Sequence, residues 1–155
     1  MNLLFVCSGN TCRSPMAAAL AAQVLGPAVI AQSAGLHARE GDRASPHAVT
    51  VMDRRGIDLR SHKARPLTEG LIANAGQIVA MTVRHKQSVQ RLYPEHQAKV
   101  YLWSEWEKLL AGETSGKTPI TEIADPWGGP LELYEYCAAA MEEILRRVKT
   151  FGKLG

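Results

Sequence analysis

Short apolar runs alternate along the chain with longer segments of mixed polarity. Leu3–Val6 is a continuous apolar run with a β-branched end, which is typical of a strand buried on both faces. Comparable runs predict three further strands, at Val29–Ala31, Gln77–Met81 and Val100–Trp103. The intervals between these runs are long enough for a helix to connect each strand to the next.

Helix signals occupy those intervals. Ser14-Pro15 and Ser45-Pro46 each offer a capping hydroxyl followed by a first-turn proline, so a helix is predicted after each pair. The first is expected to run to Leu25 and the second to close at Gly56. Three more helices are predicted: a short one opened by Thr68, one over about residues 82–92, and a long amphipathic one over Leu131–Phe151, preceded by a loop rich in Gly, Thr and Pro.

Strands that alternate with helices, without hairpin turns between them, predict an α/β fold with a parallel sheet. We expect a single domain over residues 1–155, with four parallel strands, helices on both faces and a phosphate-binding loop after the first strand. Ligands of such open sheets lie beyond the carboxyl ends of the strands. Cys7 follows the first strand directly, and Asp125 could follow the last.

Composition and charge narrow the class of protein. With 46% hydrophobic residues and a net charge of +3, the chain is an ordinary globular one whose weak positive charge does not indicate nucleic-acid binding. Three cysteines, an odd number, indicate a reducing compartment. Ser14–Ala38 carries no charge, but Gly26-Pro27 interrupts it, so no membrane span is predicted. We expect a cytoplasmic monomer without a secretory signal.

The segment after the first strand carries the chemistry. A cysteine, five intervening residues, an arginine and a hydroxyl residue lie between a buried strand and a helix N-terminus, where backbone N–H groups form an anion-binding nest. The field of that nest favours a thiolate on Cys7, and the planar guanidinium of Arg13 matches two phosphate oxygens. Ser14 can cap the helix and donate to the sulfur. The predicted phosphate-binding residues are Ser8, Gly9, Asn10, Thr11, Cys12, Arg13 and Ser14.

A cysteine that accepts a phosphoryl group needs a proton donor for the leaving group. Asp125 is the best candidate, because Pro126 stiffens the segment after it and two glycines then allow a close turn. Asp-Pro alone is a common turn, so this assignment depends on the cysteine loop. Cys7 and Cys12 lack a second nearby Cys/His pair, and we therefore expect no metal and no other cofactor.

The run from Val6 to Ala17, together with Asp125-Pro126, resembles the low-molecular-weight protein tyrosine phosphatase family over essentially the whole chain. The resemblance implies the four-stranded parallel fold and a catalytic set in which Cys7 is the nucleophile, Arg13 the phosphate clamp, Ser14 the thiolate stabiliser and Asp125 the general acid. It further implies that Asn10 holds the loop in shape, with Ser33 and His62 as supporting partners.

Two positions indicate which substrate is preferred. Thr11 replaces the bulkier aliphatic residue of tyrosine-directed members, and a single aromatic residue, Trp127, followed by two glycines replaces two aromatics. Both features resemble the bacterial protein arginine phosphatases of the family, so phosphoarginine on protein substrates is predicted and phosphotyrosine is the alternative. Trp127 could stack on a guanidinium or serve equally as a wall for a phenol.

Three other readings concern the cysteines and the reaction. Thioredoxin-coupled arsenate reduction needs further relay cysteines, and only Cys137 remains, inside a predicted helix. A non-catalytic phosphoresidue-binding module would be attractive only with a defect in the catalytic set, and there is none. The family resemblance also implies that Cys12 is a resolving thiol for an oxidised Cys7; otherwise it packs as a small apolar residue.

Overall fold

The computed structural model describes residues 1–113 and 118–154. The predicted loop before the last helix includes residues 114–117, which lie outside the described residues. In chain order the elements are β1 (Asn2–Cys7), α1 (Arg13–Leu25), β2 (Ile30–Gly35), α2 (Pro46–Asp53), α3 (Glu69–Asn74), β3 (Gln77–Ala80), α4 (Val83–Leu92), β4 (Val100–Leu102), α5 (Trp103–Ala111) and α6 (Leu131–Phe151).

All four strands are parallel and follow the order β2-β1-β3-β4, which confirms the predicted sheet. The chain leaves β1 for β2 on one side and then crosses to β3 on the other. The strand order therefore reverses beside β1, and this is where open α/β sheets bind their ligands. The loop after Cys7 begins at that point.

Helices cover both faces of the sheet, as predicted. Alternate residues of β1 point to opposite faces: Leu3 and Phe5 pack into a large core with α1, α2, α5 and α6, while Leu4 and Val6 pack against α3 and α4. Every residue from Leu3 to Cys7 is buried. The strand that carries the phosphate loop is thus held from both sides.

Several element boundaries differ from the prediction: β2 begins at Ile30 and β3 ends at Ala80, each one residue inside the predicted run. β2 extends to Gly35, because residues 32–35 continue the ladder with β1 in spite of the polar Gln32 and Ser33. Trp103 is not the end of a strand but the first residue of α5, a helix that was not predicted. Its first turn is supported by the Glu105 carboxylate, which accepts the N–H of Leu102 at 2.8 Å. The second predicted helix, α2, ends at Asp53, short of Gly56.

No helix within the described part of the chain is long and apolar enough to cross a membrane.

Candidate active site

The backbone carbonyls of the loop between β1 and α1 are held from outside the loop. Four of them accept hydrogen bonds from flanking segments: Cys7 from the N–H of Leu36 (2.9 Å), Ser8 from the N–H of His37 (2.9 Å), Asn10 from Nε2 of His62 (2.8 Å) and Thr11 from the N–H of Ser45 (2.9 Å). In a trans peptide the N–H points opposite to the carbonyl. The N–H groups of the same peptide units therefore point away from these partners, an arrangement suited to an anion.

A cavity of about 220 Å³ lies at this loop. It brings together the predicted catalytic and specificity residues from two distant parts of the sequence, and its lining consists of Cys7, Ser8, Gly9, Asn10, Thr11, Cys12, Arg13, Asp125 and Trp127. Ser14, which is fully buried, lies beneath the loop.

Asn10 is the hub of the loop. It is fully buried and has φ = 56°, a left-handed conformation that asparagine tolerates better than most residues. Its Nδ2 donates to Ser14 Oγ at 2.8 Å and to Ser33 Oγ at 3.0 Å, and its Oδ1 accepts the N–H of Arg65 at 3.0 Å. With the His62 bond to its carbonyl, both predicted supporting residues contact Asn10 directly.

The Cys7 sulfur is surrounded by donors. Ser14 Oγ lies 2.8 Å from Cys7 Sγ, and the N–H of Asn10 donates to the same sulfur at 3.3 Å. Because Ser14 Oγ already accepts from Asn10, its own hydrogen is available for the sulfur, so two donors are directed at Cys7 Sγ. Ser14 was predicted to cap the helix, and this prediction is wrong. α1 begins at Arg13, and the Ser14 hydroxyl is engaged by Cys7 and Asn10 instead.

Arg13 joins the two parts of the cavity. Its guanidinium is almost fully buried, and Nη1 donates to the carbonyl of Ile123 at 2.9 Å. Nη2 lies 3.8 Å from Oδ2 of Asp125. The N–H of Ile123 in turn donates to the carbonyl of Met81, the residue directly after β3, at 2.8 Å. The segment that carries Asp125 is therefore fixed to the sheet just before the aspartate.

Beyond that anchor the segment is open to solvent. The Asp125 side chain is 56% exposed, and its Oδ1 accepts the N–H of Trp127 at 3.1 Å, which makes a local turn. Gly128 follows with φ = 80°, a conformation that glycine adopts without strain. Trp127 is 73% exposed although it lines the cavity.

Sequence reasoning assigned no role to His85, although this buried histidine touches the loop. Its Nε2 lies 2.8 Å from Ser8 Oγ and its Nδ1 3.1 Å from Thr82 Oγ1. Burial, reinforced by the positive charges of Arg13 and Arg84, lowers the pKa of His85 to about 4. The sequence signal that could have found His85 is the spacing Thr-x-x-His immediately after β3. In this spacing Thr82 is the N-cap of α4 and His85 lies three residues later, close to the phosphate loop because β3 is adjacent to β1.

The other two cysteines are buried in different surroundings. Cys12 Sγ lies 3.4 Å from Ser45 Oγ and 3.6 Å from the Tyr134 hydroxyl, either of which can accept its hydrogen, at the contact of the loop with α2 and α6. Cys137 packs within α6, as expected, and donates to the carbonyl of Ala124 at 3.4 Å. Burial raises the pKa of the Cys137 thiol to about 11, which does not suit a disulfide relay.

A possible ligand set for a cation lies elsewhere. Across the residues that the structure describes, one group has suitable spacing: Glu69, Glu95 and His96, in which His96 Nε2 and Glu69 Oε1 are 3.1 Å apart. None of these residues lines the cavity at Cys7.

A nest of N–H groups around a buried cysteine, at the carboxyl end of the first strand of a parallel sheet, is the architecture of a cysteine-dependent phosphatase. The family model for the low molecular weight phosphotyrosine protein phosphatases matches residues 2–151. The chain belongs to this family.

Its relatives include enzymes named for two different substrates. A protein-arginine-phosphatase of Geobacillus stearothermophilus is 39% identical over 146 residues, covering 94% of this chain and 92% of that protein. EpsP of Ralstonia nicotianae, a probable low molecular weight protein-tyrosine-phosphatase, is also 39% identical over 146 residues, covering 94% and 90%. A solved structure of the arginine phosphatase YwlE, a C7S mutant with a phosphorylated active site serine, has a TM-score of 0.84 and 34% identity, covering 97% of this chain and 94% of that one.

Proposed function

We propose that this chain is a protein phosphatase that removes the phosphoryl group from phosphoarginine residues through a cysteinyl-phosphate on Cys7. One observation carries the proposal: the Cys7 sulfur, the Arg13 guanidinium and the Asp125 carboxylate line a single cavity. Sulfur is the nucleophile, the guanidinium and the loop N–H groups carry the negative charge of the phosphoryl oxygens, and the carboxyl group handles protons.

The reaction has two steps. The Cys7 thiolate attacks phosphorus, and the bond from phosphorus to the leaving nitrogen breaks while Asp125 delivers its proton to that nitrogen. A water molecule then attacks the phosphorus of the cysteinyl-phosphate, and the Asp125 carboxylate takes a proton from it. Cys7 leaves as the thiolate and inorganic phosphate is released. The buried guanidinium of Arg13 holds the equatorial oxygens through both steps.

The preference for arginine is supported by the walls of the cavity. Thr11 places a small polar side chain where a bulkier aliphatic residue would favour an aromatic ring. The exposed Asp125 carboxylate can accept hydrogen bonds from a planar guanidine as well as protonate it, and Trp127 offers a face for stacking. The relatives named as arginine phosphatases, the Geobacillus protein and YwlE, agree with this choice of substrate.

Phosphotyrosine is the second candidate substrate. It is favoured by the relative EpsP, whose name specifies tyrosine at the same 39% identity. The same Trp127 face would also accommodate a phenol. Overall identity therefore does not separate the two substrates, and the residues at the mouth of the cavity must do so.

The position of Cys12 supports a role for this residue in protecting Cys7 from oxidation. It is five residues from Cys7 in the same loop and both thiols are buried. In this proposal an oxidant such as peroxide converts the Cys7 thiolate to a sulfenic acid; the Cys12 thiolate then attacks that sulfur, forming a disulfide with loss of hydroxide. After peroxide and then dithiothreitol, wild type should regain activity, with a Cys7–Cys12 disulfide seen by mass spectrometry before reduction. Equal recovery of Cys12→Ser would remove Cys12 from this role.

We further propose that the enzyme acts as a cytoplasmic monomer on phosphorylated proteins. Analytical ultracentrifugation at micromolar concentration tests the oligomeric state, and a dimer would contradict it.

The reaction itself is tested by phosphate release from a phosphoarginine peptide. Wild type should turn over with and without EDTA, whereas Cys7→Ser should show no turnover. A Cys7→Ser protein with full activity, or loss of wild-type activity with EDTA, would contradict the mechanism. A non-catalytic binding module would release no phosphate from the peptide or from p-nitrophenyl phosphate.

A further inference from the structure

A chain of three polar side chains runs from the end of β3 into the phosphate loop. Thr82 Oγ1 lies 3.1 Å from Nδ1 of His85, and Nε2 of His85 lies 2.8 Å from Ser8 Oγ. His85 is buried, and Ser8 lines the cavity. Neither Thr82 nor His85 lines the cavity, and this hydrogen-bonded chain reaches it through Ser8.

The hydrogen atoms in this chain have a preferred order. His85 is neutral near pH 7, because burial and the charges of Arg13 and Arg84 outweigh those of Asp125 and Glu122 in setting its pKa of about 4. Only one ring nitrogen then carries a hydrogen. Thr82 Oγ1 already accepts the backbone N–H of His85 at 3.2 Å, which leaves its hydroxyl hydrogen to donate to Nδ1.

The tautomer of His85 determines the orientation of the Ser8 hydroxyl. If Nδ1 accepts, Nε2 carries the ring hydrogen and donates to Ser8 Oγ. The Ser8 oxygen is then engaged as an acceptor, and its own hydroxyl hydrogen turns to the cavity. A donor strengthened by a neighbouring hydrogen bond, at the edge of an N–H nest, suits an anionic oxygen.

We propose that the Ser8 hydroxyl donates a hydrogen bond to a non-bridging oxygen of the bound phosphoryl group, and that His85 is the positioning residue that orients it. Thr82 fixes the tautomer of His85. The inference rests on the phosphatase function but not on the preference for arginine, because the contact is to the phosphoryl group that every substrate and the product phosphate share.

Binding of inorganic phosphate, measured by isothermal titration calorimetry, tests the Ser8 contact without any turnover. Because a hydrogen bond to a charged group is lost, Ser8→Ala should weaken phosphate binding by roughly 10- to 100-fold. Ser8→Thr keeps the hydroxyl and should stay within about threefold of wild type. Ser88→Ala makes the same chemical change on α4, outside the cavity, and should bind phosphate as wild type does.

The kinetic counterpart uses two substrates. Ser8→Ala should lower kcat/KM for p-nitrophenyl phosphate and for a phosphoarginine peptide by similar factors. Unchanged phosphate binding by Ser8→Ala, or a loss confined to one substrate, would overturn the contact. A wild-type protein that binds phosphate but hydrolyses neither substrate would instead contradict the proposed function and leave the binding result standing.

The positioning role of His85 is tested by a double-mutant cycle. His85→Leu should weaken phosphate binding about as much as Ser8→Ala does, and should add little further loss in the Ser8→Ala background. His85→Gln keeps an N–H donor and should restore part of the affinity. Equal losses from His85→Leu with and without the Ser8 hydroxyl, or no rescue by His85→Gln at unchanged thermal stability, would show that His85 only packs.

Discussion

The two halves of the active site are built in opposite ways. In the phosphate loop, Asn10 and Ser14 are fully buried and each makes hydrogen bonds to other polar groups of the site. In the acid segment, the Asp125 side chain is 56% exposed and Trp127 is 73% exposed. Arg13 connects the halves through the Ile123 carbonyl and the Asp125 carboxylate.

The difference assigns a task to each half. A loop held by its carbonyl groups and by the buried side chains of Asn10 and Ser14 has its N–H groups in place before any ligand arrives, which is what stabilisation of a charged phosphoryl group requires. An exposed segment with few contacts can admit a protein side chain and determine which leaving group is accepted. Binding of phosphate and choice of substrate should therefore respond separately to substitution.

Asp125→Ala should give the largest difference between the effect on turnover and the effect on phosphate binding. Loss of the proton donor is expected to lower kcat on a phosphoarginine peptide by ~10²–10⁴-fold. The loss should be smaller on p-nitrophenyl phosphate, whose leaving group needs little protonation, and phosphate binding should persist. The exposed Asp53, at the end of α2, provides the control Asp53→Ala. Equal losses on both substrates would mean that Asp125 is not the acid.

Gly35→Ala should damage the buried half instead. A Cβ at Gly35 would lie 2.5 Å from the carbonyl oxygen of Ser8 and 3.0 Å from the nitrogen of Asn10, both backbone atoms of the loop. We expect a loss of about 3 kcal/mol in the free energy of unfolding, together with weaker phosphate binding. Chemical denaturation and calorimetry measure both.

The control for that substitution is Gly70→Ala, where the nearest atom to a Cβ is Thr68 Oγ1 at 4.0 Å. It should be neutral or slightly stabilising, because alanine is the better helix former. Wild-type stability and phosphate affinity in Gly35→Ala would show that the loop is not held as tightly as proposed.

The burial of His85 should make folding sensitive to acid. Its pKa is about 4 in the folded protein, against an ordinary value near 6.5 in the unfolded chain. The unfolded chain therefore binds the extra proton first, and stability falls as pH decreases from about 6.5 to about 4, by at most about 3 kcal/mol. Urea denaturation of wild type and His85→Gln across this range measures the difference.

The free energy of unfolding of His85→Gln should decrease less than that of wild type as the pH is lowered. Parallel pH profiles for wild type and His85→Gln would contradict the depressed pKa.

Thr11→Ile should have the smallest effect, at the boundary of the two halves. Added volume and a lost hydroxyl at the cavity wall should shift the ratio of kcat/KM from phosphoarginine towards aryl phosphates by roughly tenfold, about 1.4 kcal/mol. Phosphate binding should change little. If activity on both substrates falls by the same factor, Thr11 has only a structural role.

The sequence predicted the sheet and the loop because their signals are local. An apolar run marks β1, and Cys7, Arg13 and the following helix specify the nest within a few residues. α5 was not predicted, because Trp103 continues the apolar run of β4; only the buried Trp103 and Trp106, three residues apart, indicate a helix.

The parts of the site that were not predicted from the sequence depend on tertiary contacts. The place of Ser14 beneath Cys7, rather than at the helix cap, depends on the Asn10 side chain. The link between Ser8 and His85 joins residues 77 positions apart and exists only because β3 lies beside β1. The Thr-x-x-His spacing places His85 just after β3, but nothing in either segment alone indicates its contact with Ser8.

The central claim is that the exposed half of the site selects arginine, while the buried half accepts any phosphoryl group. The most direct test compares kcat/KM for phosphoarginine and phosphotyrosine peptides of matched sequence, with inorganic phosphate as a common competitive inhibitor. We expect a higher kcat/KM for phosphoarginine and the same inhibition constant for phosphate against both peptides. A higher value for phosphotyrosine would contradict it and make the enzyme a tyrosine phosphatase.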